Sequence, residues 1–240
     1  MIPPRIGVAG WSIPGPVADQ LPGPGTHLER YAARFNAAEI NSSFHRPHRP
    51  ATYARWAQSV PPDFRFAVKL PKTITHGLRL IDAGALIERF ADEVAGLGDR
   101  RGPILVQLPP SLAFVPDVAA TFFDLLDTVL GAPIVCEPRH PSWFEADADA
   151  LLLAHRVARV AADPAKVPAA AVPGGWPAIA YFRLHGSPQI YRSAYGAEAV
   201  AAHAATVKAL AAGGAETWTI YDNTASGAAM ADGLLLLPQL

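Results

Sequence analysis

The chain has 240 residues, of which 50% are apolar and 17% are charged, so it can bury a hydrophobic core and does not belong to the disordered class. Its formal charge of -1 provides no overall positive field for duplex nucleic acid or for an anionic membrane surface. The single cysteine, Cys136, excludes an internal disulfide framework and a thiolate metal cluster. Because the sequence shows neither a secretory signal pattern nor a run long enough to span a bilayer, we expect a cytoplasmic protein.

Short β-branched runs alternate with amphipathic helical segments along the whole chain. The predicted strands are, in chain order, 5–11, 37–41, 64–70, 103–108, 133–137, 156–163, 178–185 and 217–223. Thr26 and Glu29 form a capping box that begins a helix, and Pro50 and Pro116 begin two more. A helix over 198–212 ends at the glycine pair 213–214. Four prolines within 164–177 predict an irregular unit after the sixth strand.

The spacing of these strands predicts the fold class. Successive strands end roughly 30 residues apart, which is the length of one βα unit, and eight units in about 250 residues are typical of a TIM-type (β/α)8 barrel. A doubly wound sheet is disfavoured because strand 1 ends at Gly10-Trp11-Ser12 without a glycine-rich phosphate turn. No linker composition divides the chain. We therefore expect an α/β barrel that forms a single domain over residues 1–240.

Nearly every predicted strand ends with a polar residue. The active site of such a barrel lies at the carboxyl ends of its strands, which we call the mouth. Side chains two residues apart share a face, so Arg183 and His185 are expected to point together toward the barrel axis. We expect Arg183 to form an ion pair with Glu137 or Asp163, and His185 to be left free to face the cavity. The candidate catalytic residues are Glu39, Lys69, Glu137, Asp163 and His185. The candidate ligand-binding residues are Trp11, Asn41, His76, Gln107, Arg139, His140, Trp143, Arg183, Tyr191, Tyr195 and Asn223.

Several segments between about residue 6 and residue 232 carry specific motifs. They are GVAGWS, AAEINSSFHRP, FAVKLPKTITH, ILVQLPPSLAF, CEPRHPSW, YFRLHG and YDNTASGAA. Together they resemble the YecE-like family, also called domain of unknown function 72. The resemblance implies a TIM-barrel-type fold and no assigned activity. Two departures stand out: the segment 12–25 replaces the family's aromatic loop after strand 1, and His45 stands where the family usually has tyrosine.

Three alternative chemistries fit some of these residues. Glu39 and Glu137 are a carboxylate pair of the kind a glycosidase needs, although Gln107 and Arg183 stand where many barrel glycosidases carry carboxylates. Glu137, Asp163 and His185 offer metal ligands, but neighbouring cations oppose this, and we assign no metal site. Lys69 is a candidate for Schiff-base formation, yet a pairing with Glu39 on the adjacent strand is favoured.

A mixed-charge mouth with a cationic surplus favours an enzyme that acts on a small anionic substrate, phosphorylated or carboxylated. Lys69, Arg139 and Arg183 would hold the anion. Glu137 or Glu39 would serve as the base and His185 or His140 as the acid, while the loop 189–195 closes over the ligand. The alternatives are a binding module for a nucleotide or nucleic-acid end, and a metal-assisted hydrolase or isomerase. No duplex nucleic acid or membrane partner is expected, and the residues specify neither a cofactor nor an oligomeric state.

Overall fold

Each predicted strand forms in the computed structural model, which describes residues 3–240. The strands are β1 (Arg5–Val8), β2 (Ala37–Ile40), β3 (Arg65–Lys69), β4 (Arg101–Gln107), β5 (Ile134–Glu137), β6 (Val157–Arg159), β7 (Ala161–Asp163), β8 (Gly174–Gly175), β9 (Ile179–Leu184) and β10 (Glu216–Tyr221). The predicted sixth strand is divided at Val160, whose N–H donates to the carbonyl of Cys136 on β5 at 2.8 Å.

Within residues 3–240, six α-helices lie between strands and a seventh follows β10. They are α1 (His27–Ala32), α2 (Pro50–Gln58), α3 (Gly84–Val94), α4 (Pro116–Leu130), α5 (Ala146–Ala154), α6 (Gly196–Ala212) and α7 (Ala228–Leu236). The predicted capping box is confirmed, since the Thr26 hydroxyl accepts from the backbone N–H of Glu29 and the Glu29 carboxylate accepts from that of Thr26. The unit between β7 and β9 contains only a short 3₁₀ turn and β8, as the prolines predict. None of the helices in residues 3–240 is long and apolar enough to cross a bilayer.

The strands form two sheets, both built from parallel pairs. One has the order β1-β10-β9-β7, and the other has the order β2-β3-β4-β5-β6 with β8 antiparallel at its edge. The sheets meet where Ala9 bridges Glu39 and the N–H of Gly10 donates to the carbonyl of Glu39 at 2.9 Å. At their other edges the chain passes from β6 to β7 through Val160 alone. Gly7 is required at the first junction, because a Cβ there would overlap the carbonyl oxygen of Ala37.

Alternation along the strands separates two apolar layers. The inner layer joins both sheets and consists of Ala37, Ala67, Leu105, Val135, Ala158, Val160, Ile179, Tyr181, Trp218 and Ile220. The outer layer lies between strands and helices and contains residues of the opposite parity, such as Phe66, Val106 and Cys136. Two residues further along, the inner face carries the polar residues Glu39, Lys69, Gln107, Glu137, Arg183 and Asp222. The strands therefore deliver these side chains to one end of the fold.

Candidate functional site

Arg183 on β9 is the centre of the polar cluster and is fully buried. Its Nε and Nη2 donate to the two carboxylate oxygens of Glu39 at 3.0 and 2.7 Å. Its Nη1 donates to Glu137 at 2.6 Å, which confirms the predicted ion pair, and Nη2 also donates to Asp222 at 2.8 Å. Burial opposes the charge, but the carboxylates outweigh it and raise the pKa of Arg183 well above its usual value. The guanidinium is thus committed to the protein's own carboxylates.

Glu137 at the end of β5 accepts hydrogen bonds from several neighbours. Gln107 Nε2 donates to its Oε1 at 3.2 Å, and Arg139 donates through Nε at 3.2 Å and Nη2 at 3.0 Å. Burial alone would raise the pKa of this carboxyl, but Arg183, His185 and Arg139 hold it well below its usual value. Glu137 therefore stays ionised and positions the cations around it.

His185 lies between two carboxylates. Its Nδ1 is 3.0 Å from Asp222 and its Nε2 is 3.3 Å from Glu137. His185 lines the cavity described below, but the expectation that it is free of partners is wrong, because both ring nitrogens are bonded and only 4% of the residue is exposed. Burial lowers its pKa, but the two carboxylates prevail and raise it above the ordinary value. The two carboxylates thus favour the protonated form of His185 in the folded protein.

Lys69 at the end of β3 differs from the other cations of the cluster. It is 5% exposed, and its amine lies 4.1 Å from the centre of the Phe44 ring. The expected pairing with Glu39 is wrong: within residues 3–240 the amine has no ion pair within 4.0 Å, because Arg183 and Tyr181 occupy the Glu39 oxygens. Burial and the charge of Arg183 lower the pKa of Lys69 to about 8, although three nearby carboxylates oppose this shift.

A cavity of about 200 Å³ opens beside this cluster. Its polar lining consists of Glu137, Arg139, Lys166, His185 and Tyr191. Tyr191 is 42% exposed, adopts a positive φ of 67°, and places its ring edge-on to His185. Nearby, burial together with Lys69, Arg139 and Lys72 lowers the pKa of His76, which shows that the field at this edge is positive.

Two candidate residues face away from the mouth because their strands present the opposite parity there. Asp163 pairs in register with Leu184 and accepts a hydrogen bond from the Tyr195 hydroxyl at 2.6 Å on the outer side. Asn223 is fully buried and donates to Asp232 at 2.7 Å. Asp163 therefore does not join Glu137 and His185 in one set of ligands, and no group of metal-binding residues is present in the described chain.

Three aromatic candidates pack against the scaffold. Trp143 is buried, and its Nε1 donates to the carbonyl of Leu112 at 3.0 Å. Tyr195 is tied through its hydroxyl to Asp163 and to the N–H of Gly186, so it anchors the loop instead of facing a ligand. Trp11 is half-buried and packs edge-on against Trp56 of α2.

The remaining candidates stay near the mouth or have local partners. His140 accepts from the backbone N–H of Ser142 and caps a short turn. His76 is exposed and lies 2.9 Å from the Thr75 hydroxyl through its Nδ1. Asn41 follows Glu39 by two residues, and its Oδ1 is buried without a hydrogen-bond partner in residues 3–240.

A family model described as "Protein of unknown function DUF72" matches residues 5–240. The chain belongs to this family. The Escherichia coli "UPF0759 protein YecE" is 33% identical over 140 residues, which cover 58% of this chain and 49% of that protein. The matched chain thus spans about half the length of this curated relative.

Solved structures of DUF72 family proteins share the fold. The Thermotoga maritima protein has a TM-score of 0.80 at 24% identity and covers 97% of both chains. The Enterococcus faecalis protein has a TM-score of 0.79 at 19% identity, over 98% of this chain and 94% of the other. A "xylose isomerase-like TIM barrel/4-hydroxyphenylpyruvate dioxygenase fusion protein" has a TM-score of 0.54 at 14% identity, over 99% of this chain and 42% of that chain.

Two cluster residues of this DUF72 chain are absent from the candidates drawn from its sequence. Asp222 follows Ile220 by two residues, so both lie on the inner face. Asn223 has the opposite parity and was therefore the wrong residue to select at this strand end. Tyr181 precedes Arg183 by two residues and donates to Glu39 at 3.0 Å. The alternation along β9 and β10 was the signal that marks both.

Proposed function

We propose that this DUF72 protein is an enzyme that binds a small anionic substrate, phosphorylated or carboxylated, at the carboxyl ends of its strands. The observation that carries the proposal is Lys69, a nearly buried amine at a strand end that has no ion pair in the described chain. A buried ammonium group without a counter-charge is costly, so such a group is retained where a ligand supplies the charge.

The charge balance of the cluster supports an anionic ligand. Three carboxylates, those of Glu39, Glu137 and Asp222, are all bonded to Arg183. Lys69 and Arg139 add further positive charge, and the carboxylates favour the positively charged form of His185. An anion placed there would interact favourably with these cations.

The two cations that would contact the anion are Lys69 and Arg139. Arg139 uses Nε and Nη2 on Glu137, which leaves Nη1 for a ligand, and its side chain is 25% exposed. Arg183, assigned to the anion from the sequence, is replaced in this role because its nitrogens serve three carboxylates. His185 would supply a proton to the bound substrate.

The same geometry disfavours glycoside hydrolysis. Arg183 bridges Glu39 and Glu137 directly, so these carboxylates do not flank an open space for a glycosidic bond.

The proposal also covers the closure of the fold and the location of the protein. The bridge from Ala9 to Glu39 and the continuity of β6 with β7 support closure of the two sheets into one single-domain (β/α)8 barrel. We also place the protein in the cytoplasm, in keeping with its free cysteine.

Calorimetric titration with inorganic phosphate tests the anion site. We expect wild-type protein to bind phosphate, and Lys69→Met or Arg139→Gln to weaken it about tenfold or more, because a charge-assisted hydrogen bond contributes about 1.5–3 kcal/mol. Lys208→Met on the exposed face of α6 is the matched control and should bind like wild type. Circular dichroism verifies that each variant is folded. Equal binding by wild type and both mouth variants, or none by wild type, would contradict the proposal.

A further inference from the structure

The environment of Lys69 suits a covalent role as well as an electrostatic one. The amine lies over the face of Phe44 at 4.1 Å, at a strand end where only 5% of the residue is exposed. Its nitrogen has no ion pair in residues 3–240 and is not completely shielded from solvent. The nucleophile is therefore unpaired and partly accessible.

We propose that Lys69 forms a Schiff base with an aldehyde or keto group of the anionic substrate, an inference that rests on the proposed function and names its substrate class. The groups that act on Lys69 support this chemistry from three sides. Arg183 on β9 disfavours the ammonium form and so increases the fraction of free amine. Phe44 and the carboxylates of Glu39, Glu137 and Asp222 stabilise positive charge on this nitrogen, whether an ammonium or an iminium group carries it.

The fraction of free amine is consistent with this role. Since burial and Arg183 lower the pKa of Lys69 to about 8, roughly one amine in ten is unprotonated at neutral pH, against about one in three thousand for an ordinary lysine. Lys69 thus presents a nucleophile that exposed lysines present only at higher pH.

The step balances without an oxidant or a reductant. The free amine of Lys69 attacks the carbonyl carbon, a C–N bond forms, and a proton moves from nitrogen to oxygen to give a carbinolamine. That oxygen takes a second proton and leaves as water, so the C–O bond breaks and a C=N bond forms. His185, whose protonated form Glu137 and Asp222 favour, is the acid that the mouth offers for this second proton.

Reductive trapping of the native chain tests the inference, and the chain suits it because it contains only four lysines: Lys69, Lys72, Lys166 and Lys208. The protein is incubated near neutral pH with glyoxylate, a carboxylated aldehyde, and sodium cyanoborohydride. Peptide mass mapping then follows carboxymethylation at each lysine over time. We expect Lys69 to react at least about tenfold faster than each of the three exposed lysines, in keeping with its larger free-amine fraction.

Three further readouts sharpen the result. The rate at Lys69 should level off above about pH 8, where ordinary lysines continue to accelerate. Inorganic phosphate should slow Lys69 and leave Lys208 unchanged, and uncharged glycolaldehyde should react with Lys69 more slowly than glyoxylate. Labelling of Lys69 at or below the rate of Lys208, with no plateau, overturns the inference.

The failure of this inference and that of the anion site are separable. Phosphate binding without accelerated labelling overturns the Schiff base and leaves the anion site intact. Accelerated labelling that phosphate does not affect, in a protein that does not bind phosphate, overturns the anion site and the substrate class with it.

Discussion

At the scale of single residues, Arg183 organises the site without being available to a ligand. Its guanidinium holds Glu39, Glu137 and Asp222 together, and each of these carboxylates is at least nine-tenths buried. The fully desolvated cluster therefore depends on Arg183 for charge compensation, while Lys69 remains outside the network of ion pairs. This division separates a structural cation from the cation that we propose to bind the ligand.

Replacing Arg183 should strongly destabilise the fold. Arg183→Met leaves three carboxylates buried without their counter-charge, and we expect the free energy of unfolding to fall by about 3–5 kcal/mol, measured by urea denaturation. Arg89→Met is the control, because Arg89 pairs with Glu93 at the surface with 65% of its side chain exposed, and less than about 1 kcal/mol is expected. Equal losses in the two variants would contradict a structural role for Arg183.

His185 should make stability depend on pH in a defined direction. Its pKa is raised in the folded protein, so its protonation stabilises the fold fully below about pH 6.5, and this contribution is lost as the pH rises through the folded pKa. The stability difference between wild type and His185→Gln, measured by urea denaturation, should therefore shrink as the pH rises above about 6.5. A difference that stays constant or grows with pH would show that His185 is not held protonated by Glu137 and Asp222.

At the scale of elements, the strands were predictable from their β-branched runs, but the face that a strand end presents was not always so. In the run 156–163, Arg159 and Asp163 have the same parity, and Arg159 lies on the outer side, where it bonds Asp149 at 2.8 Å. Arg159, in the middle of this run, thus identifies the outer face, and Asp163 lies on the same face. On β10, Trp218 and Ile220 lie on the inner face, whereas Thr217 and Thr219 lie on the outer face. Asp222 shares the parity of the first pair and Asn223 that of the threonines, so the alternation points to Asp222 as the inward residue.

The junction between β1 and β2 gives a prediction at this scale. Gly7→Ala would drive a methyl group into the carbonyl of Ala37 and separate the strands that join the two sheets. We expect a loss of about 1–3 kcal/mol in the free energy of unfolding. Gly15→Ala, with open space around its Cβ and no left-handed φ, should remain near wild type. If both variants unfold alike, the two sheets are not in close contact at Gly7.

The loop before α6 is fixed by one tyrosine. The Tyr195 hydroxyl donates to Asp163 at 2.6 Å and accepts from the N–H of Gly186 at 2.8 Å. Tyr195→Phe removes both bonds, so we expect limited proteolysis within 186–195 to accelerate several-fold without loss of the overall fold. Tyr53→Phe, whose hydroxyl lacks a partner in the described chain, is the matched control. Unchanged cleavage in Tyr195→Phe would show that other contacts hold the loop.

At the scale of the whole molecule, strand spacing predicts the order of elements, and the family resemblance is confirmed by the match over residues 5–240. The sequence does not predict which charged side chains form ion pairs with one another. Glu39 and Arg183 are 144 positions apart, and their bidentate pairing depends on how the two sheets face each other. That pairing leaves Lys69 unpaired, which strand-by-strand reasoning misses because Glu39 is its neighbour on β2.

Lys69 and Arg139 form the anion site that we propose at the mouth. The most direct measurement is anomalous diffraction from crystals of the wild-type protein soaked in selenate, which has the charge and shape of a small oxyanion. We predict an anomalous peak within hydrogen-bond distance of Lys69 Nζ and Arg139 Nη1, beside His185. Selenium peaks confined to exposed cations elsewhere, such as Lys208, with none at the mouth, would contradict the claim.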